Sequence, residues 1–299
     1  MNIILNIVSG TPLAWICSAH AELTATGLAW AISQLVLLRK MFVLKRLSQF
    51  HAFKNCRTDE NWFFNESWSN EAYLKKLETR STASLEKDAN SLFKHLSGPV
   101  QKEDMHFGNL PTIGEYLEKD SQVRHYMRSH KSTTSSEAHR KSKKYIWEYL
   151  CSSWSSMQQA VYRPYNELNQ QVILDFSVGV SDFAKALHTI EDSYSPAHVM
   201  RLKKLGTIQH VWYWGNTKNS NEQNKWPGHA ALDDPYKPLR DPNDSRPQDF
   251  FEMGKEVTKR FILCVLTHLD RDKDTYARHC GIMLNTHFCA NLITIREPQ

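Results

Sequence analysis

Apolar residues recur at helical rather than strand spacing along most of the chain. Between residues 172 and 194, Val178, Phe183, Leu187 and Ile190 fall at roughly helical intervals, which predicts an amphipathic helix. Four further segments have helical composition or spacing: 16–50, 71–97, 145–161 and 250–269. The last of these is predicted to be the final helix of the chain. Because no run of alternating strand residues interrupts them, the pattern predicts an all-α, multi-helix fold with long loops.

Polar and turn-forming stretches separate these predicted helices. Residues 54–70 are rich in Asn and Asp, and residues 215–249 in Asn, Asp, Pro and Lys, so both are predicted to be irregular. Residues 129–144, SHKSTTSSEAHRKSKK, are polar and basic and are predicted to form an exposed loop or linker. We interpret residues 129–144 as an insertion in a single domain that spans residues 15–299. The simpler interpretation of the insertion is a solvated loop, and the alternative is a contact with nucleic acid.

Composition narrows the class of protein only slightly. The 299 residues are 41% hydrophobic and carry a formal net charge of +5, which allows a sizeable core and suits an anionic substrate such as phospholipid or nucleic acid. The six cysteines form no CxxC pair, which argues against a thiolate zinc knuckle. No apolar run reaches the roughly 20 residues that a transmembrane helix needs.

The first 14 residues have some features of a signal peptide. A short apolar core runs from Ile3 to Val8, and Ala14 is a candidate cleavage residue. However, no Lys or Arg precedes the core, and Pro12 stands where a small residue is preferred. The sequence leaves two outcomes open: a secreted or periplasmic protein if residues 1–14 are cleaved, and otherwise a cytoplasmic one or one exported by another route.

The densest group of metal-ligand residue types lies at the end of the helix predicted for residues 172–194. His188 and Asp192 are four residues apart, so their imidazole and carboxylate share one helix face and can meet one metal ion. Pro196 is predicted to end the helix, and His198 follows on the turn beyond it, where it can face a neighbouring ion. Zinc binds His nitrogen and Asp oxygen at about 2.0–2.2 Å. The pair alone is more often an ordinary hydrogen-bonded pair, but the full string is more specific.

The string HTIEDSYSPAH, residues 188–198, resembles the zinc-ligand helix of the zinc-dependent phospholipases C and the single-strand-specific zinc nucleases. In that superfamily a His-x3-Asp-x5-His string binds a cluster of three zinc ions in an all-α fold, and the other ligands come from distant positions. The resemblance implies that His188, Asp192 and His198 are metal ligands and that the cofactor is two or three Zn²⁺ ions. It extends from Trp15 to about residue 270.

A second pair of ligand types follows at His229 and Asp233. The superfamily's next ligand pair is also His-x3-carboxylate, so the pair is similar in spacing and order. The resemblance groups these two residues with His198 on one zinc ion, and Asp234 competes for the carboxylate role. Without the resemblance, a surface histidine in a polar loop is the simpler interpretation of His229.

Further matches lie nearer the N-terminus. Trp15-x4-His20 is similar to the start of the mature nucleases, in which the first residue is Trp and its amine and carbonyl bind zinc. A core Trp on an uncleaved helix is the alternative. Asp59 lies at the loop position where the family supplies a carboxylate, and Glu60 is its substitute.

His106, in the segment DMHFGN, resembles the family's His-Phe ligand segment. The stretch between Asp59 and His106 is longer than in the family, which implies an insertion. His95 and His125 are the alternatives for this ligand, and a surface histidine is the non-functional interpretation.

The resemblance implies a zinc-dependent phosphodiester hydrolase. The leading hypothesis is a phospholipase C-like enzyme with a peripheral membrane contact, in which activated water attacks phosphorus in line and Asp59 and Asp192 are catalytic. The second is a nuclease of the same fold that acts on single-stranded nucleic acid, which the Trp15-x4-His20 spacing favours. The third is a non-catalytic metal-binding relative. We expect the aromatic run 212–214 either to line the substrate cleft or to pack in the core.

Overall fold

The computed structural model of the chain describes most of six segments and a few isolated residues: 17–54, 121–128, 132–163, 170–202, 206–213 and 246–292, with 71–72, 75, 79, 167, 232 and 234–236. These residues are mostly helical, which confirms the predicted class. The α-helices are α1 (Cys17–Leu37), α2 (Met41–Lys54), α3 (Ser135–Tyr162), α4 (Gln170–Asp192), α5 (Arg246–Thr267) and α6 (Lys273–His287). A 3-10 helix spans Ser121–His125, and the strands β1 (Val199–Arg201) and β2 (Ile208–Val211) form a small sheet.

Helix α4 occupies the centre of the described structure. It packs along α3 and also contacts α1, α5 and the 3-10 helix. Phe183, Leu187 and Ile190 are fully buried on it, as their spacing predicts, whereas Val178 is 56% exposed. The helix therefore has one buried face, and the residues at its C-terminal end reach the region where four elements meet.

Two glycines allow helices to approach closely. A Cβ atom on Gly179 of α4 would lie 2.9 Å from the backbone nitrogen of Met157 and 2.9 Å from the carbonyl oxygen of Ser153, both on α3. A Cβ atom on Gly27 of α1 would lie 2.7 Å from Ile262 on α5. The Gly179 contacts are with backbone atoms, so the absence of a side chain there sets the spacing of α3 against α4. The atom close to Gly27 is the end of the Ile262 side chain, which can move aside.

The segment 16–50, predicted to be helical, forms two helices, α1 and α2. The chain turns between Leu37 and Met41, where Arg39 has a positive φ of 51°. Neither Gly nor Pro marks this turn, so composition alone does not reveal it. An ion pair between Lys40 Nζ and Asp270 Oδ2 at 3.1 Å ties the turn to the end of α5.

The prediction of an exposed loop over residues 129–144 is wrong from residue 135 onward, because α3 begins there. The Thr134 side chain accepts a hydrogen bond from the Glu137 backbone N–H at 3.1 Å and so caps the helix. Ala138 and Ser142 are buried on one face, and Ser142 Oγ donates to the Val123 carbonyl at 2.9 Å. The polar composition therefore did not indicate this helix, which is capped by Thr134 and packs Ala138 and Ser142 against the rest of the protein.

The C-terminal region also differs from prediction. Helix α5 begins at Arg246, within the stretch 215–249 predicted to be irregular, and α6 follows it, so the segment 250–269 does not contain the final helix.

The strands β1 and β2 pair antiparallel, with Val199 opposite Val211. They have three and four residues, too few for an alternating pattern to stand out in the sequence. None of the described helices is both long enough and apolar enough to cross a membrane.

Gly179 provides a test of the α3–α4 packing. We expect Gly179→Ala to lower the Tm by several degrees, because overpacking of this kind costs about 1–3 kcal/mol. Gly281→Ala on α6 is the matched control, since a Cβ atom there would meet no atom within 4 Å. Thermal unfolding followed by circular dichroism measures both variants, and an unchanged Tm for Gly179→Ala would contradict the close approach.

Candidate metal centre

Two ligand-type residues lie at the C-terminal end of α4. His188 and Asp192 are both fully buried. His188 Nε2 lies 3.0 Å from Asp192 Oδ2, as the four-residue spacing predicts. The burial decides against the simpler interpretation of an exposed pair.

His20 joins this pair from α1. Its ring stacks on that of His188 with centroids 4.7 Å apart, and its Nε2 lies 3.3 Å from Asp192 Oδ1. One ligand atom from each of His20, His188 and Asp192 lies within 4.8 Å of the others. This buried cluster could hold a metal ion.

His125, at the end of the 3-10 helix, also reaches Asp192. Its Nδ1 lies 3.0 Å from Asp192 Oδ2 and 3.0 Å from His188 Nε2. The Thr189 hydroxyl donates to the Arg124 carbonyl at 2.7 Å and holds the 3-10 helix against α4. His125 is one of the two alternatives to His106 in the sequence; His106 and the other alternative, His95, lie outside the described residues.

His198 lies on the turn before β1. Its Nδ1 is 2.7 Å from the His125 carbonyl oxygen and 3.7 Å from Asp192 Oδ2. The carbonyl can only accept, so Nδ1 carries the proton and Nε2 is the nitrogen with the lone pair. Trp212 donates its backbone N–H to the His198 carbonyl at 2.9 Å, which joins the turn to the end of β2.

The turn that leads from Asp192 to His198 is held by a buried arginine. Arg201 Nε donates to the Ser193 carbonyl at 2.8 Å, and the guanidinium lies 4.1 Å from the centroid of the Tyr194 ring. The helix ends at Asp192, before Pro196, and the His198 N–H donates to the Ser195 carbonyl at 3.0 Å. These contacts fix the position of His198 relative to α4.

Glu191 is a member of the site that sequence analysis did not identify. It is fully buried, its Oε2 lies 2.6 Å from His20 Nδ1, and its Oε1 accepts from the Thr24 hydroxyl at 3.1 Å. If His20 donates its Nδ1 proton to Glu191, its lone pair is on Nε2, the atom that faces Asp192. The partner residue is 171 positions away, so no local pattern reveals this contact.

Burial and mutual contacts set the charge states in the cluster. Burial lowers the pKa of His125 to about 3, against the opposing hydrogen bond with Asp192, and burial also lowers the pKa of His198. Burial opposes ionisation of Asp192, but the neighbouring His188 and His198 and the hydrogen bonds from His125 and His188 hold its pKa well below the usual range. Burial raises the pKa of Glu191.

These donors fit a divalent cation. Neutral imidazoles and an ionised carboxylate are the forms in which His and Asp bind metals. Asp192 Oδ1 is among the buried side-chain atoms of the described residues that lack a hydrogen-bond partner, and the nearest imidazole nitrogen, His20 Nε2, lies 3.3 Å from it. A tetrahedral ion with donors at about 2.0–2.1 Å separates those donors by roughly 3.3–3.4 Å, close to the 3.0–3.3 Å seen between Asp192 oxygens and the facing imidazoles.

The other residues predicted as ligands cannot be placed in this site. The structure brings together His20, His188, Asp192 and His198 and adds His125 and Glu191. Five predicted ligands lie outside the described residues: Trp15, Asp59, His106, His229 and Asp233. Asp234, the competitor of Asp233, is buried, and its Oδ1 accepts the Tyr236 backbone N–H at 3.0 Å.

Comparison with known proteins found no relative of this chain. No family model, no curated protein and no solved structure matches this chain. Its function is therefore inferred from the geometry of the cluster and from the resemblance of residues 188–198.

Metal binding by this cluster can be measured through stability. Zn²⁺ at a hundredfold excess over its Kd should stabilise chelator-treated protein by about 2.7 kcal/mol, or roughly 5–10 °C in Tm for a domain of this size. We expect His20→Gln or Asp192→Asn to remove most of this shift, because each deletes a donor of the buried cluster.

The control for this experiment is His279→Ala. His279 Nδ1 lies 2.5 Å from His268 Nε2 on the surface of α5 and α6, where zinc could also bind. The shift should survive in this variant. A zinc-induced shift that is lost in His279→Ala, or that persists in both cluster variants, would exclude the cluster as the source.

Proposed function

We propose that this protein is a zinc-dependent phosphodiester hydrolase, phospholipase C-like, that uses two or three zinc ions. The observation that carries the proposal is the convergence on Asp192 of histidines from α1, the 3-10 helix, α4 and the turn before β1. Residues 188–198, whose string resembles the family's zinc-ligand helix, supply three of these groups. Position in the fold and resemblance therefore favour the same residues.

The two oxygens of Asp192 face different histidines, which supports a role as a bridging ligand. Oδ1 faces His20, whereas Oδ2 faces His125 and His188. A carboxylate in this position could bridge two cations, one of which would be the ion held by His20, His188 and Asp192. His198, with its lone pair on Nε2, would serve a further ion together with His229 and Asp233, as the resemblance implies.

The chemistry proposed for the site is hydrolysis by activated water. Bound zinc supplies Lewis acidity toward a phosphodiester and lowers the pKa of water. The chain's own residues would hold the cations: Asp192 would provide the shared charge, and Glu191, which lies 2.6 Å from His20 Nδ1, would orient His20. Asp59 is proposed to orient or deprotonate the water.

Asp192→Asn tests this function. We expect it to lower the rate of hydrolysis of a phosphodiester substrate more than about a hundredfold, because the amide supplies one neutral oxygen in place of two charged ones. Asp175→Asn is the matched control on the same helix, since Asp175 is exposed and accepts a hydrogen bond from the Gln171 side chain at 2.8 Å. Full activity in Asp192→Asn would reject the bridging role.

Substrate class is tested by parallel assays on a phosphatidylcholine analogue and on single-stranded DNA. The phospholipase C-like proposal predicts hydrolysis of the lipid analogue, and the nuclease alternative predicts hydrolysis of the DNA. Both activities should be lost with a chelator and regained with zinc. A non-catalytic relative would hydrolyse neither and would hold fewer than two zinc ions per chain, which mass spectrometric metal analysis measures.

A further inference from the structure

A second candidate binding site lies between α3 and α6, in the region predicted to be a basic loop. A depression of about 520 Å³, largely open to solvent, lies there. We call it the basic groove and define it by Arg140, Lys143, Lys144 and Trp147 of α3 and by Gly281 and Leu284 of α6. Its volume falls in the range typical of small-ligand sites.

The groove has its cations on one helix face. Arg140, Lys143, Lys144 and Trp147 stand at positions i, i+3, i+4 and i+7 of α3, so their side chains project from the same side of the helix. The opposite side carries Ala138 and Ser142, which are buried. The helical conformation thus turns a polar stretch of sequence into a localised positive surface.

The groove is positively charged and lacks a carboxylate among its lining residues. Lys143 Nζ donates to the Asn285 side-chain carbonyl at 2.8 Å, a neutral partner. Lys144 pairs with Glu148 at 3.5 Å, but both side chains are more than half exposed, and such surface pairs contribute little and exchange readily. An anionic ligand could therefore gain contacts here without displacing a buried ion pair.

The floor of the groove is apolar. Trp147 is partly buried and packs against the core, and Leu284 is buried. Gly281 contributes no side chain, and a Cβ atom there would meet nothing within 4 Å, so open space remains on the α6 side of the groove. A planar ring can lie on such a surface, since aromatic side chains favour stacked or edge contacts with other rings.

We propose that the basic groove binds a nucleotide, with its phosphates at Arg140, Lys143 and Lys144 and its base against Trp147. Cations and an aromatic wall side by side match a ligand that joins phosphate to a planar ring. The same chemistry occurs in a free nucleotide and at the end of a nucleic-acid strand. The site is separate from the metal cluster and does not depend on the hydrolase proposal.

Calorimetric titration of the full-length protein with ADP tests this proposal. ADP contains no phosphodiester bond, so the proposed hydrolase activity would not consume it. We expect one ADP per chain. Adenosine, which lacks the phosphates, and pyrophosphate, which lacks the ring, should each bind at least about tenfold more weakly.

Two kinds of variant locate the site. Arg140→Glu with Lys144→Glu should weaken ADP binding at least about tenfold, because two attractive contacts become repulsive. Lys259→Glu with Arg271→Glu changes the net charge equally on other surfaces and should leave binding close to wild type. Gly281→Trp should fill the groove and abolish binding, whereas Gly281→Ala should retain it. If Gly281→Trp does not fold, the charge variants still decide.

Competition distinguishes the two sources of the ligand. A phosphorothioate oligonucleotide that displaces ADP and binds more tightly would assign the groove to a strand end, and failure to displace ADP would assign it to a free nucleotide. Chelator-treated wild-type protein should bind ADP like the untreated protein, so the state of the metal site does not affect this result. Absence of ADP binding, equal binding of pyrophosphate, or full binding by the charge-reversed groove variant would overturn the proposal.

Discussion

The buried carboxylate of Asp192 is the constraint on which the described structure depends. A fully buried charge is costly unless it is paired and hydrogen-bonded, and the groups that face this one come from α1, the 3-10 helix, α4 and the turn before β1. Each of these elements must therefore pack in register with α4. The close α3–α4 contact at Gly179 and the Arg201 contacts with Ser193 support that register from two sides.

The cluster brings a carboxylate and several imidazoles together in a buried place. Burial lowers the pKa of His125 and His198, whereas the neighbouring imidazoles and their hydrogen bonds lower the pKa of Asp192. A divalent cation could occupy this set of donors, because His and Asp bind metals as neutral imidazole and as carboxylate. Glu191 has a supporting role, because its bond to His20 directs one ring nitrogen toward Asp192.

Local spacing predicted part of this site, and long-range packing supplied the rest. The i, i+4 relation placed His188 beside Asp192, and the apolar period located α4. The choice between His106 and His125 depends on how the segment between them folds. The local sequence pattern does not determine that fold. The Glu191–His20 contact is likewise non-local. The positive φ at Arg39 and the capped start of α3 at Thr134 were missed because composition outweighed turn and cap geometry.

Anomalous diffraction at the zinc absorption edge, from crystals grown with zinc, tests the central claim most directly. The account predicts an anomalous peak within coordination distance, about 2.0–2.2 Å, of an Asp192 oxygen and of the His188 and His20 imidazole nitrogens. Density without any anomalous peak there, with the imidazoles hydrogen-bonded directly to Asp192 at saturating zinc, would contradict it.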